Sequence, residues 1–117
     1  MGYDLSFWRY AGEESSAHQS VYEQLAEGQT VDGVEELPVA NMLERVRDTF
    51  SAQGWSALDE LNWESDRGAF QLYTTPQYFR VDCYNMDGED MNHFIDIANE
   101  FGCPLYDPQV GQRFDGS

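Results

Sequence analysis

Apolar and polar residues alternate through the middle of the chain. Three short runs in residues 61–85 place an apolar side chain at every second position, and turn-forming residues separate the runs at 66–68 and 75–77. Alternation of this kind is typical of strands that bury one face. It predicts a three-stranded meander, which we expect to organise the rest of the fold. Its buried row contains Leu61, Trp63, Phe70, Leu72, Phe79, Val81 and Cys83.

The segments around the meander predict three helices, a strand near the start of the chain and short extended pieces near its end. Residues 3–10 alternate like a strand, and residues 103–114 suggest two short extended pieces. Apolar residues recur at helical spacing before Gly28, after Pro38 and after Asp87, which is a good helix N-cap. The order β-α-α-β-β-β-α-β indicates an α+β fold in a single domain over residues 1–117. We expect two layers: a mostly antiparallel sheet of four to six strands, with about three helices on one face.

The charge of the chain narrows the choice of partner. The 117 residues contain 22 acids and 6 bases, all arginine, which gives a formal net charge of −16. A negative field of this size attracts basic proteins and repels nucleic acid and anionic membranes. Solubility, or adaptation of a whole proteome to high salt, would explain the same charge. The chain shows neither a membrane-spanning apolar run nor a secretory signal, so we expect a cytoplasmic protein.

The polar row of the sheet is the candidate binding surface. If the helices cover one face only, exposed aromatic side chains lie among charges on the other, as at many protein-binding surfaces. The predicted partner-binding residues are Trp8, Tyr10, Glu64, Tyr73, Tyr78, Arg80, Asp82 and Tyr84. Such a sheet can also stack RNA bases, but too few basic residues are present to hold the phosphates. Burial of this row in a homodimer, or under the chain itself, is the alternative.

Catalysis is a further alternative. Glu64, Asp66 and Asp82 could meet on neighbouring strands as general acid and base, or as ligands of a divalent ion. With 22 acids such a trio also arises by chance, and we predict no catalytic, cofactor or metal residues. Phosphate-loop, dinucleotide, nucleophile-elbow and HExxH patterns do not occur. Cys83 and Cys103 lie outside any CxxC pair, so we expect two buried thiols.

Three stretches together resemble a known class of protein. They are MGYDLSFWRY, AHQSVYEQLAEG and MNHFIDIANEFGCPLYDPQVGQRF. They resemble small bacterial proteins of the immunity and immunity-like kind, which neutralise toxins used in contact-dependent competition between bacteria. The resemblance implies a cytoplasmic, acidic, non-enzymatic α+β domain, and it carries no functional residue over to this chain. The sequence also contains pairs of acids, at Glu13–Glu14, Glu35–Glu36, Asp59–Glu60 and Glu89–Asp90. These pairs could act by occlusion, pairing with the basic side chains that a toxin uses to hold its substrate. A solvated acidic surface is the alternative.

Overall fold

Seven strands and three helices form in residues 2–12, 18–107 and 112–114, which the computed structural model describes. The strands are β1 (Gly2–Phe7), β2 (Ser56–Ala57), β3 (Asn62–Ser65), β4 (Gly68–Thr75), β5 (Tyr78–Tyr84), β6 (Leu105–Asp107) and β7 (Gln112–Phe114). The helices are α1 (His18–Ala26), α2 (Val39–Ser51) and α3 (Gly88–Glu100).

All seven strands belong to one antiparallel sheet with the order β2-β3-β4-β5-β1-β6-β7. The predicted meander is β3 to β5. The first strand of the chain lies beside β5 in the middle of the sheet, so that Asp4 is directly opposite Asp82. The predicted α+β class, the antiparallel sheet and the three helices are confirmed. The two-residue β2 lies before the predicted meander and extends the sheet by one more strand.

The larger core lies between the sheet and helices α2 and α3. Phe50 of α2 stacks on Phe94 of α3 with 4.6 Å between ring centroids, and Phe70 of β4 lies 4.9 Å from the Phe50 ring. Phe70 belongs to the alternating row that was predicted to be buried, and Phe50 and Phe94 belong to the predicted apolar stripes of their helices. Because apolar area removed from water stabilises a fold by about 25 cal/mol per Å², this aromatic contact anchors the two helices on one face. The predicted N-cap is confirmed, since Asp87 accepts a hydrogen bond of 2.8 Å from the Asp90 N–H.

A second core lies on the opposite face, beneath α1. Val21 and Leu25 form the buried stripe of this helix, as the helical spacing predicted. They pack in a separate cluster whose buried members also include Trp8, Val31, Val34, Tyr78 and Tyr106. The prediction of helices on one face therefore holds for α2 and α3, whereas α1 covers part of the other face. The physical reason is that large aromatic side chains of the supposedly open row supply the apolar surface that α1 needs.

None of the three helices has the length and apolar character that crossing a membrane requires.

Candidate functional site

The predicted binding residues fall into two groups, of which the first is covered. Trp8 and Tyr78 have 0% of their surface exposed, so the expectation that they lie on an open surface is wrong. Tyr10 and Tyr73 are half-buried at the margin of the same cluster. Tyr10 hydrogen-bonds to His18 of α1 at 2.9 Å. Period-2 alternation assigns these residues correctly to one row, but it does not reveal that a helix of the same chain covers the row.

The second group lies where α1 leaves the sheet uncovered. Glu64 and Tyr84 are exposed, and 45% of the Tyr84 surface is accessible. Arg80 and Asp82 are half-buried. These four residues share one face of the sheet, as their positions in the alternating pattern predicted.

The register of four strands places three members of this second group, Glu64, Asp82 and Tyr84, beside two further residues. Gln71, Asp82 and Asp4 lie side by side on β4, β5 and β1. Glu64 and Tyr84 belong to the adjacent row, on either side of β4. We call these five residues the open patch. It contains three carboxylates and one exposed aromatic ring on a rigid sheet.

Asp4 and Asp82 form a carboxylate pair within the open patch. Burial raises the pKa of Asp4, and a hydrogen bond to Asp82 together with its negative charge raises that pKa further. The positive charge of Arg80 opposes part of this effect. Two carboxylates in one site disfavour their joint ionisation, so the pair tends to retain a proton or attract a cation.

Arg80 is committed to interactions within the protein. Its Nε lies 3.0 Å from Oδ1 of Asp82, and its Nη2 donates to Oδ2 at 3.2 Å. Its guanidinium also lies over the ring of Tyr73, 4.7 Å from the centroid. A two-point ion pair and a stacked ring hold the side chain in one orientation. Arg80 therefore pairs with Asp82, and its charge offsets only part of the effect that Asp82 has on Asp4.

Four further arginines also lie beside acidic side chains. The ion pairs are Arg9 with Glu35, Arg45 with Glu100, Arg47 with Glu44 and Asp48, and Arg67 with Asp90. Each of these guanidinium groups lies within 4.0 Å of a carboxylate of the same chain. These four arginines are therefore not available to neutralise the remaining acidic side chains of the surface.

The catalytic trio suggested by the sequence does not assemble. Strand β4 separates Glu64 on β3 from Asp82 on β5, and Asp66 lies in the exposed turn between β3 and β4. Within the described residues, no three His, Cys, Asp or Glu side chains converge in a group that could hold a metal ion. The alternative in which these three acids approach one another is therefore wrong. The carboxylates that do meet are Asp4 and Asp82.

Both cysteines are buried, as predicted. Burial among apolar side chains raises the pKa of the Cys83 thiol to about 12, and the charges of Asp82 and Asp4 act in the same direction. A thiol with such a pKa carries almost no thiolate at neutral pH, so Cys83 lacks the reactive form of a nucleophile.

Sequence reasoning missed two features of the surface. The pairing of Asp4 with Asp82 depends on β1 lying beside β5, a contact between residues 78 positions apart that no local pattern encodes. The second feature is an apolar groove between α2 and the edge of the sheet at β2 and β3. The small residues Ala40 and Ala57 were the feature of the sequence that could have indicated this groove. Small residues at exposed positions are too common to predict a groove.

Comparison of the chain with protein-family models, with curated proteins and with solved structures found no match.

Proposed function

We propose that the protein binds a basic protein partner through the open patch. The observation that carries this proposal is the Asp4–Asp82 pair: the two residues lie side by side, and Arg80 is paired with Asp82. A lysine or arginine from a partner would supply the missing positive charge and relieve the repulsion within the pair. Charge-assisted hydrogen bonds to a preformed pair lose little entropy, because the sheet already fixes both carboxylates.

The most specific form of this function is toxin neutralisation by an immunity-like protein. Enzymes that act on nucleic acid hold the phosphates with arginine and lysine, and those side chains are complementary to clustered carboxylates. Tyr84 adds an exposed ring of the kind that anchors protein interfaces. The net charge of −16 favours fast association with a basic surface. The mechanism would be occlusion of the toxin's substrate-binding surface.

A capture experiment with matched variants tests the proposal. Immobilised wild-type protein is compared with the double variant Asp4→Asn/Glu64→Gln, which preserves the Arg80–Asp82 ion pair. The matched control is Glu89→Gln/Asp96→Asn, which removes the same charge from exposed positions of α3. We expect wild type and control to retain the same basic protein at about 0.05 and 0.15 M salt, where screening still permits the contact. The open-patch variant should lose it.

Two results would count against the proposal. If folded wild-type protein in excess retains no basic partner, binding of a basic protein is contradicted. If all three proteins retain the partner equally, the open patch is not the site. For the toxin version, equimolar protein should abolish nucleic-acid cleavage by the purified partner, and the open-patch variant should leave that cleavage intact.

Light scattering separates binding from the homodimer alternative. A mass near the chain mass of 13.4 kDa excludes a homodimer joined through the sheet face. A mass of twice that value would favour the homodimer instead.

A further inference from the structure

An apolar groove runs between α2 and the edge of the sheet. Its volume is about 360 Å³, enough for one or two side chains of a ligand. Leu43 and Ala40 line it from α2, and Ala57 and Trp63 line it from β2 and β3. Trp63 belongs to the face that α2 and α3 cover, so this edge groove and the open patch lie on opposite faces.

The rim of the edge groove is negative. Glu44, Asp59 and Glu60 contribute three carboxylates, and Arg47 contributes one guanidinium, which leaves an excess of two negative charges. Arg47 is itself drawn towards Glu44 and Asp48, at 4.0 and 3.9 Å. Because the rim retains a negative excess beside an apolar floor, it complements a basic residue that flanks an apolar one.

Asp59 is a fixed charge on this rim. Its Oδ1 accepts hydrogen bonds of 2.8 and 2.9 Å from the N–H groups of Leu61 and Asn62. Bonds from the Leu61 backbone and the Asn62 side chain lower the pKa of Asp59, so its carboxylate remains ionised well below neutral pH. The turn between β2 and β3 thus holds one carboxylate at a defined position on the rim.

The backbone at the edge groove offers hydrogen-bonding groups as well. The Leu58 N–H donates to the Asn62 carbonyl at 2.7 Å, which is one of the two bonds of a hydrogen-bonded pair. Because such pairs alternate along an antiparallel ladder, the neighbouring Ala57 directs its N–H and C=O away from β3, towards the free edge of the sheet. The indole N–H of Trp63 is buried at the same groove and finds no acceptor in the described part of the chain.

We propose that the edge groove docks an extended segment of the basic partner. The segment lies along β2, places one apolar side chain between α2 and Trp63, and sets a lysine or arginine against Glu44 or Glu60. Edge strands receive extended peptides in this way, with backbone bonds providing affinity and side-chain pockets providing selectivity. The proposal rests on the proposed function for the positive charge of the partner, but it uses a separate surface.

A peptide titration followed by ¹⁵N NMR tests the edge groove directly. The probe is an acetylated, amidated pentapeptide of sequence Arg-Thr-Leu-Thr-Arg. The two control peptides replace both arginines by glutamate, or the leucine by serine. We expect the probe to shift the Trp63 indole and Ala57 amide signals in a saturable manner. Each control peptide should bind at least about tenfold more weakly than the probe. A tenfold loss corresponds to about 1.4 kcal/mol of binding free energy.

Variants of the protein locate the site. Ala40→Phe fills the edge groove from an exposed position of α2, whereas Asn41→Phe places the same ring on the next exposed residue, outside the groove lining. The first should weaken the probe about tenfold, and the second should leave its affinity unchanged. Glu60→Lys, at a fully exposed turn residue, provides the same test by charge if Ala40→Phe does not fold. Glu89→Lys is its matched control.

The outcomes separate the two proposals. Probe-induced shifts confined to the open patch would overturn docking at the edge groove while supporting the proposed function. Equal binding of the glutamate peptide would overturn a basic occupant, and equal binding of the serine peptide would overturn an apolar one. Absence of saturable shifts at Trp63 and Ala57 at millimolar probe would overturn the edge groove as a docking site. Partner capture lost in Asp4→Asn/Glu64→Gln but retained in Ala40→Phe would also overturn it.

Discussion

The hydroxyls of Ser6 and Tyr78 lie 2.8 Å apart and join β1 to β5 by a hydrogen bond in the interior beneath α1. Both side chains have 0% of their surface exposed. They belong to the polar row of the sheet, which the alternating pattern predicted to be exposed to solvent. The row is therefore divided along its length: α1 buries the end that carries Trp8 and Tyr78, and the other end forms the open patch. A binding function of this face is restricted to that second end.

Removal of the Tyr78 hydroxyl should destabilise the protein. Tyr78→Phe leaves the Ser6 hydroxyl buried without this partner, so we expect a loss of about 1–2 kcal/mol in the free energy of unfolding. Urea denaturation measures the loss. Ser6→Ala combined with Tyr78→Phe should cost less than the sum of the single changes, because the second change removes the stranded group. Tyr73→Phe, half-buried on the same face, should change stability by less than about 0.5 kcal/mol. Additive losses would contradict a direct bond.

Elements that local patterns determine could be predicted from the sequence, whereas contacts between distant residues could not. The meander, α2 and α3 were predictable because alternation and helical spacing are local properties, and Asp87 carries its own capping signal. The position of α1 was not predictable. The apolar stripe at Val21 and Leu25 indicates that one side of the helix is buried. It does not indicate which face of the sheet the helix packs against. The neighbour of β1 was equally hidden, and the Asp4–Asp82 pair depends on it.

Gly68 should tolerate no side chain. A Cβ at this position would lie 2.5 Å from the Tyr84 carbonyl oxygen, which is closer than a Cβ and a nonbonded oxygen approach each other in proteins. Gly68→Ala must shift β4 relative to β5, so we expect destabilisation of about 1–3 kcal/mol, measured by thermal or urea denaturation. Gly88→Ala is the matched control, since nothing lies within 4 Å of its added methyl group. Equal stability of the two variants would show that the hairpin absorbs the methyl group.

Loss of the α3 cap should also be measurable. The Asp87 side chain accepts a hydrogen bond from the Asp90 N–H, and its charge lies at the positive end of the helix. Asp87→Ala should reduce the free energy of unfolding by about 1 kcal/mol, and Asp87→Asn or Asp87→Ser by less, because both can still cap. If alanine and asparagine at this position are equally stable in urea denaturation, the cap does not contribute.

The Cys83 thiol should react slowly in the folded protein. It is 2% exposed and its pKa is raised to about 12, so both access and thiolate formation oppose reaction with a disulfide reagent. In Cys103→Ser, the remaining thiol should react with Ellman's reagent at pH 8 only as fast as the fold opens, and rapidly in denaturant. A native-state rate close to the denatured one would contradict burial of Cys83.

Asp4→Asn should stabilise the protein at neutral pH. The folded-state pKa of Asp4 is raised above its ordinary value of 3.8, so the folded protein binds this proton more tightly than the unfolded chain does. The stability that Asp4 contributes is therefore fully present below pH 3.8 and is lost as the pH rises through the folded-state pKa. Asparagine resembles the protonated acid and does not titrate. The variant should exceed wild type at pH 7 by up to about 1 kcal/mol, because solvent screens a half-buried pair.

The pH dependence of this advantage identifies its origin. Denaturation midpoints measured from pH 3 to pH 7 should show that the difference between Asp4→Asn and wild type grows with pH and vanishes below about pH 3.8, the ordinary value. Asp96→Asn removes one charge from an exposed position of α3 and controls for the general repulsion of an acidic protein. If Asp96→Asn stabilises the protein equally, the effect belongs to net charge. If Asp4→Asn alone does so, the effect belongs to the raised pKa of Asp4 and not to the net charge of the protein.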